Sequence, residues 1–344
     1  MRKEVLAVGC ALMVFCGCGK NNAAQHYESG WAAMEKKDYT TAVNEFQQVI
    51  DQNSRLAESY RAEGIAYYSE KAYPEAIAAF SRSLNNMDDP DKEFKKDVQF
   101  YLAQARMDYG EVDKAIEVYS EILKAGEDEQ AFFLRGKAYI SMEDYKNAEK
   151  DFQRALEGCE DYNLYINIYQ IYVDHNKAVD GDAYLKMALE LEPQDGEDCY
   201  HRGRIYEYEK NYEAARDELK TAMEQGYEDA MLLLGRVYLE MEDPASARSM
   251  YQEYLQKSEQ GAKAYNGLAM CDIYDGAYDS ALENIAQGLK ENSKEDEQGL
   301  LYNEIVAYEY KRDFATAKEK MKIYLEQYPE DEAALRENEI LSTR

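Results

Sequence analysis

The chain is poor in the residues that interrupt helices and in those that do chemistry. Of its 344 residues only 5 are proline, 3 are histidine and 1 is tryptophan. Scarce proline removes the strongest helix breaker, and abundant Ala, Leu, Glu, Lys and Tyr favour an all-helical chain. Positive charge is short as well. Forty Lys and Arg against 69 Asp and Glu leave a net charge of −29. That field repels phosphate backbones, so nucleic acid is not an expected partner; solubility and cationic partners are favoured. The N-terminal apolar run, Val5 to Phe15, is too short to span a bilayer, which takes about 20 residues as a helix. Beyond the first eighteen residues the cysteines are Cys159, Cys199 and Cys271, odd in number and widely spaced, which gives neither a disulfide framework nor a CxxC metal pair. The histidines His26, His175 and His201 are scattered, with no HExxH, and no GxxxxGK[ST] or GxGxxG loop follows a strand. No enzyme activity, metal or cofactor is therefore expected.

What the chain has is a repeat. In "EGIAYYSEKAYPEAIAAF" (63–80), Gly64 sits inside an apolar helical run and Ala76 follows twelve residues on. A mid-helix glycine costs about 1 kcal/mol relative to alanine. The pair recurs as Gly30/Ala42, Gly136/Ala148, Gly203/Ala215 and Gly235/Ala247, with Ala103/Ala115 and Ala269/Ala281 keeping the spacing. A bulky residue follows each second alanine by four: Phe46, Phe80, Tyr119, Phe152, Leu219, Tyr251, Ile285. A period near 34 is the mark of stacked helical hairpins, and small residues let the two helices of each hairpin cross closely. With the small residue at position 8, repeats start near 23, 57, 96, 129, 162, 196, 228, 262 and 298. Pro90, Pro193 and Pro329 fall between repeats, and Pro74 and Pro244 open second helices, where a missing N–H does no harm.

This pattern closely resembles the tetratricopeptide repeat, with its small residue at 8, Tyr at 11 and 17, Ala at 20 and Pro at 32. The resemblance implies an all-α solenoid of about nine helix-turn-helix repeats over 23–331, closed by a capping helix at 332–344. Two departures matter. Repeats two and three start 39 residues apart, so 88–96 is expected to be a longer turn or an extended helix. Repeat five carries Tyr169 in the small slot and Gly181 at the alanine position, which predicts looser packing there.

At the N-terminus, Arg2 and Lys3 precede the apolar run, and small residues follow it. The stretch "VFCGCGKNN" resembles the lipobox of bacterial lipoproteins. The resemblance implies a signal peptide at 1–17, lipidation of Cys18, which has Gly17 before it, and a short linker at 18–22. Phe15 departs from the usual aliphatic residue, and a plain signal peptide or an uncleaved anchor is the alternative. Two acyl chains suffice for stable anchoring where one does not. The expected location is extracytoplasmic, lipid-anchored to a bacterial membrane.

In the tetratricopeptide family the first helix of each repeat lines a groove through positions 2, 5, 9, 12 and 13. Carried onto this sequence, those positions give Arg61, Tyr68, Phe100, Phe133, Lys137, Tyr200, Arg204, Tyr208 and Arg236 as candidate groove residues. Arg and aromatic residues are common interface anchors. The expectation is a groove in repeats four to seven that takes a protein or peptide segment with an acidic group facing Arg204 and Arg236. The carboxylate clamp of chaperone-binding members is absent: Tyr27 and Trp31, Ala62, Asp97 and Tyr101 stand in its places. The expected function is a protein–protein interaction scaffold in the cell envelope. The alternative is a glycan- or peptide-binding lipoprotein whose groove aromatics stack on the ligand.

Overall fold

The computed structural model describes residues 22–87, 91–258 and 261–344. The segment that holds Cys18 and the signal-peptide expectation lies outside them. Every regular element among the described residues is a helix. The chain forms two compact units, one ending at Tyr184 and the other starting at Leu185, and each is an α-solenoid of stacked hairpins.

The first unit pairs α1 (Asn22–Glu35) with α2 (Tyr39–Asp51), α3 (Leu56–Ser69) with α4 (Tyr73–Asn85), α5 (Lys92–Tyr109) with α6 (Val112–Ala125), and α7 (Glu129–Ser141) with α8 (Tyr145–Ala155); α9 (Tyr162–Asp174) follows. The division falls inside α10 (Ala178–Leu189). The second unit pairs α11 (Gly196–Tyr208) with α12 (Tyr212–Glu224), α13 (Ala230–Glu240) with α14 (Pro244–Lys257), α15 (Ala262–Tyr274) with α16 (Tyr278–Lys290), and α17 (Glu297–Tyr310) with α18 (Phe314–Gln327). It ends on α19 (Glu332–Ser342). From Lys92 on, the extra residues between repeats two and three lengthen α5 to 18 residues, so 92–96 take the extended-helix alternative, while 88–90 lie outside the described residues.

Local chemistry sets the turns. Between the two helices of every hairpin one residue takes the left-handed conformation, and it stands fifteenth in each repeat. Gly110 and Gly276 do so without strain, whereas Lys37, Lys71, Glu143, Asn176, Lys210, Glu242 and Arg312 carry side chains there. Side-chain caps then start many helices. Asp38, Asp144, Asn211, Asp243 and Asp313 accept a hydrogen bond from a first-turn N–H of the second helix.

The recurrent glycine makes room for a ring. A Cβ on Gly64 would lie 2.6 Å from Phe80 Cε1, on Gly136 2.7 Å from Phe152 Cε1, and on Gly235 2.6 Å from Tyr251 Cζ. These aromatic residues are buried. The nearest partner of the glycine is thus the bulky residue at position 24. Repeat five corrects the expectation of loose packing. Tyr169 is buried, and a Cβ on Gly181 would come within 3.1 Å of its ring and 3.0 Å of Tyr172 Cβ. Small and large residues have exchanged helices, and the contact stays close. Trp31 packs edge-on against Phe46 and Tyr27, in the core of the terminal hairpin. At the other end α19 buries Ala334 and Leu341 against Met321 and Tyr324, while its cap Asp331 also accepts from the Tyr324 hydroxyl at 2.6 Å.

Candidate binding cleft

The residues expected to line one groove over repeats four to seven fall in two units. Phe133 and Lys137 belong to the first; Tyr200, Arg204, Tyr208 and Arg236 belong to the second. In the first unit most candidates are engaged by the fold. Arg61 pairs with Asp97, and its guanidinium lies 5.3 Å from the Tyr101 ring centre. Tyr68 donates to Asp108, and burial together with that carboxylate pushes its phenol well above the ordinary tyrosine value. The rings of Phe100 and Phe133 rest against Tyr119 and Phe152, so the core does use them. Lys137 is exposed and has no carboxylate within salt-bridge distance among the described residues.

The second unit gathers its candidates around a cleft of about 790 Å3, lined chiefly by α13, α15 and the start of α17. Tyr200 from α11 and Arg236 from α13 both line it. Tyr200 packs against Tyr227 with ring centres 4.8 Å apart, and the Arg204 guanidinium lies 5.9 Å from its ring centre. Burial pushes the Tyr200 phenol up; Asp229 adds to this, and Arg204, Arg236 and Lys263 pull it down. Charges from three successive first helices therefore converge on one phenol. Arg204 also meets the His201 ring nitrogen at 3.2 Å, and Tyr208 is exposed at the end of α11; neither lines the cleft.

Arg236 is not waiting for an acidic ligand. Glu207 of α11 takes it in a two-point pair at 2.5 and 2.6 Å. The Glu207 side chain is only 15% exposed, so a competing carboxylate would have to leave it buried without its partner.

Sequence reading passed over Lys263, although it holds position 2 of its repeat. It reaches Glu295 at 3.4 Å and Asp296 at 3.9 Å. Partial burial works against its charge, but Asp296, Glu295 and Asp229 outweigh that and hold the ammonium above the ordinary lysine value. Tyr251 and Tyr254 of α14 were also missed. They reach the cleft from a second helix, where Gly235 and Gly267 leave the space that the Tyr251 ring fills from both sides. Asn266 of α15 completes the wall, its side-chain oxygen accepting from Asn303 Nδ2 at 2.8 Å. No group of three or more His, Cys, Asp or Glu that could hold a metal is found among the described residues, and none of the described helices is long and apolar enough to cross a membrane.

Stacked hairpins with a small residue seated under a ring and a cleft on their first helices define a helical-repeat binding scaffold. The chain matches the tetratricopeptide repeat over residues 27–91, 129–161, 200–262 and 232–297, together more than half its length. It belongs to the tetratricopeptide repeat family. Members are generally protein-interaction scaffolds, and the fold is typically non-enzymatic. Among solved structures it is similar to a tetratricopeptide repeat protein from Parabacteroides merdae, with 16% identity, 83% of this chain and 99% of that one covered, and a TM-score of 0.46. Yeast Tom70 is 15% identical over 89% of this chain and 78% of its own, with a TM-score of 0.49. YrrB, a TPR protein with an unusual peptide-binding site, is 26% identical over 55% of this chain and 97% of its own, with a TM-score of 0.36. No curated protein matches the chain significantly.

Proposed function

We propose that this chain is a membrane-anchored, extracytoplasmic lipoprotein that acts as a protein–protein interaction scaffold in a bacterial cell envelope, with the cleft of the second unit as a docking site. One observation carries the docking reading: three successive first helices place aromatic, cationic and amide groups around a single cavity. Its size falls within the range of about 300–1,000 Å3 typical of ligand sites. A polypeptide suits it better than a glycan. Tyr251 and Tyr254 are only 4% and 8% exposed, which leaves little ring face for a sugar to stack on. The address rests on the N-terminal sequence, whose basic start, short apolar run and Gly17–Cys18 support lipidation.

A photo-crosslinking residue at Met270, a 41% exposed cleft position, tests docking in intact cells against the same residue at Ile323, which is 50% exposed on α18. A discrete adduct formed from position 270 and absent from 323 supports the cleft; identical adducts from both positions, or none, overturn it. Lipidation is read separately. An alkyne fatty acid should label the chain, and Cys18→Ala should abolish the label; a variant that still labels removes Cys18 from the proposal.

A further inference from the structure

We propose that the occupant of this cleft is a basic segment of a partner polypeptide, an extended stretch carrying lysine or arginine; this rests on reading the cleft as a docking site. The sequence suggested the opposite sign, because Arg204 and Arg236 stand out in an acidic chain. The structure reverses the weighting. The two cleft cations are already paired within the fold, Arg236 with Glu207 and Lys263 with Glu295 and Asp296. An acidic ligand would gain little from them and would strand the Glu207 carboxylate.

Two lining carboxylates, Asp229 and Glu291, are exposed and held in no salt bridge among the described residues, although Asp229 is near enough to Lys263 to favour its charge. Asp229 also differs from its counterparts in other repeats. It stands at the N-cap of α13, where Asp128, Asp161 and Asp195 each cap the first helix of their own repeats through the side chain. Asp229 makes no capping bond. Its carboxylate is therefore free of the duty its position usually brings, and it lies on the cleft wall. Three features oppose a cation: the N-termini of α13, α15 and α17, at Asp229, Gly261 and Asp296, border the cleft without a side-chain capping bond, so each presents about half a positive charge. Set against four lining carboxylates, Asp229, Glu291, Glu295 and Asp296, these ends and two cations still leave a small negative excess, which Glu207, paired with Arg236, enlarges. The −29 charge of the whole chain would steer such a segment inward and speed its arrival.

The probes are three fluorescein-labelled twelve-residue peptides, alternating Lys–Ser, Glu–Ser and Asn–Ser, titrated by anisotropy against the full chain in a nonionic detergent at 0.15 M salt. The Lys–Ser peptide should bind saturably with one site. Asp229→Asn with Glu291→Gln should weaken it by about fivefold, as the loss of two exposed charge pairs implies. A control that removes the same charge from α18 and its following turn, Glu326→Gln with Glu330→Gln, should leave it unchanged. Unsaturable binding, or an equal loss in the control, means general attraction to an acidic surface and overturns the inference. Tighter binding of the Glu–Ser or Asn–Ser peptide, displaced by a bulky Met270→Trp, keeps the docking site and overturns its charge preference. Binding of none of the three, together with no crosslink from position 270, overturns the docking reading itself.

Discussion

At the scale of single residues the fold is governed by where a side chain must be small and where it must be left-handed. Gly64 illustrates the first. An alanine there would gain helix propensity of about 1 kcal/mol, yet its Cβ would fall 2.6 Å from the edge of the buried Phe80 ring. Overpacking of this kind costs about 1–3 kcal/mol, so Gly64→Ala should lower stability in chemical denaturation despite the better helix former. Lys71 illustrates the second. Its φ of 62° is borne by a side chain where Gly110 and Gly276 hold the same place in other repeats. Lys71→Gly should raise the melting temperature slightly, because relief of about 1–2 kcal/mol of strain exceeds the entropy that glycine adds to the unfolded chain. The glycine–alanine spacing was legible from the sequence because it repeats. The left-handed turn was not, since seven residues of four unlike types fill the slot and only the backbone shows what they share.

Between elements, several departures from the repeat pattern turn out to be charge pairs. Position 7 is apolar in four repeats, as Leu102, Ile168, Leu234 and Leu268, but it holds Arg135, Arg202 and Glu304 in three others. Each meets an opposite charge sixteen residues on in the second helix of its own hairpin: Arg135 with Asp151, Arg202 with Glu218, and Glu304 with Lys320. The signs are reversed in the last hairpin, so either order serves. Lys320→Glu should destabilise by about 1 kcal/mol, and adding Glu304→Lys should recover most of it, as measured by a double-mutant cycle in denaturant. Position 11 of the eighth repeat departs in the same way. Asp272 is buried where six other repeats carry tyrosine, and it accepts from Arg248, Ser280 and Asn284, tying α14 to α15 and α16. The capping helix brings a pH dependence. Glu309 of α17 is raised to about 7 by burial and by Glu337 of α19, with Arg344 opposing. A carboxyl whose folded value lies above its unfolded one holds its proton better in the folded state. That stabilisation is complete near pH 4.5 and lost as pH rises through 7. The melting temperature should fall over that interval, and Glu309→Gln should flatten the difference from wild type. None of these pairs could be read from the chain alone, because carboxylates are so frequent that any spacing occurs by chance.

On the scale of the whole molecule, an excess of 29 negative charges repels itself in the folded state. Raising salt from 0.05 to 0.5 M screens that repulsion within about 5 Å, so the melting temperature should rise rather than fall, as differential scanning fluorimetry would show. Isolated surface pairs weaken under the same conditions, but their contribution is small. The sequence by itself determined the family, the helical class and the hairpin rhythm. These follow from a small-to-large pattern that each repeat states again, so local spacing is enough. It also pointed to Tyr200 and Arg236, two residues that do face one cleft. Tertiary structure alone decided what that cleft contains and which sign it favours. Glu207 comes from a neighbouring hairpin, Tyr251 of α14 passes between first helices, and Asp229 makes no side-chain cap. Distances between repeats set those relations, and pairing across a fold neutralises charges that a linear reading counts as free.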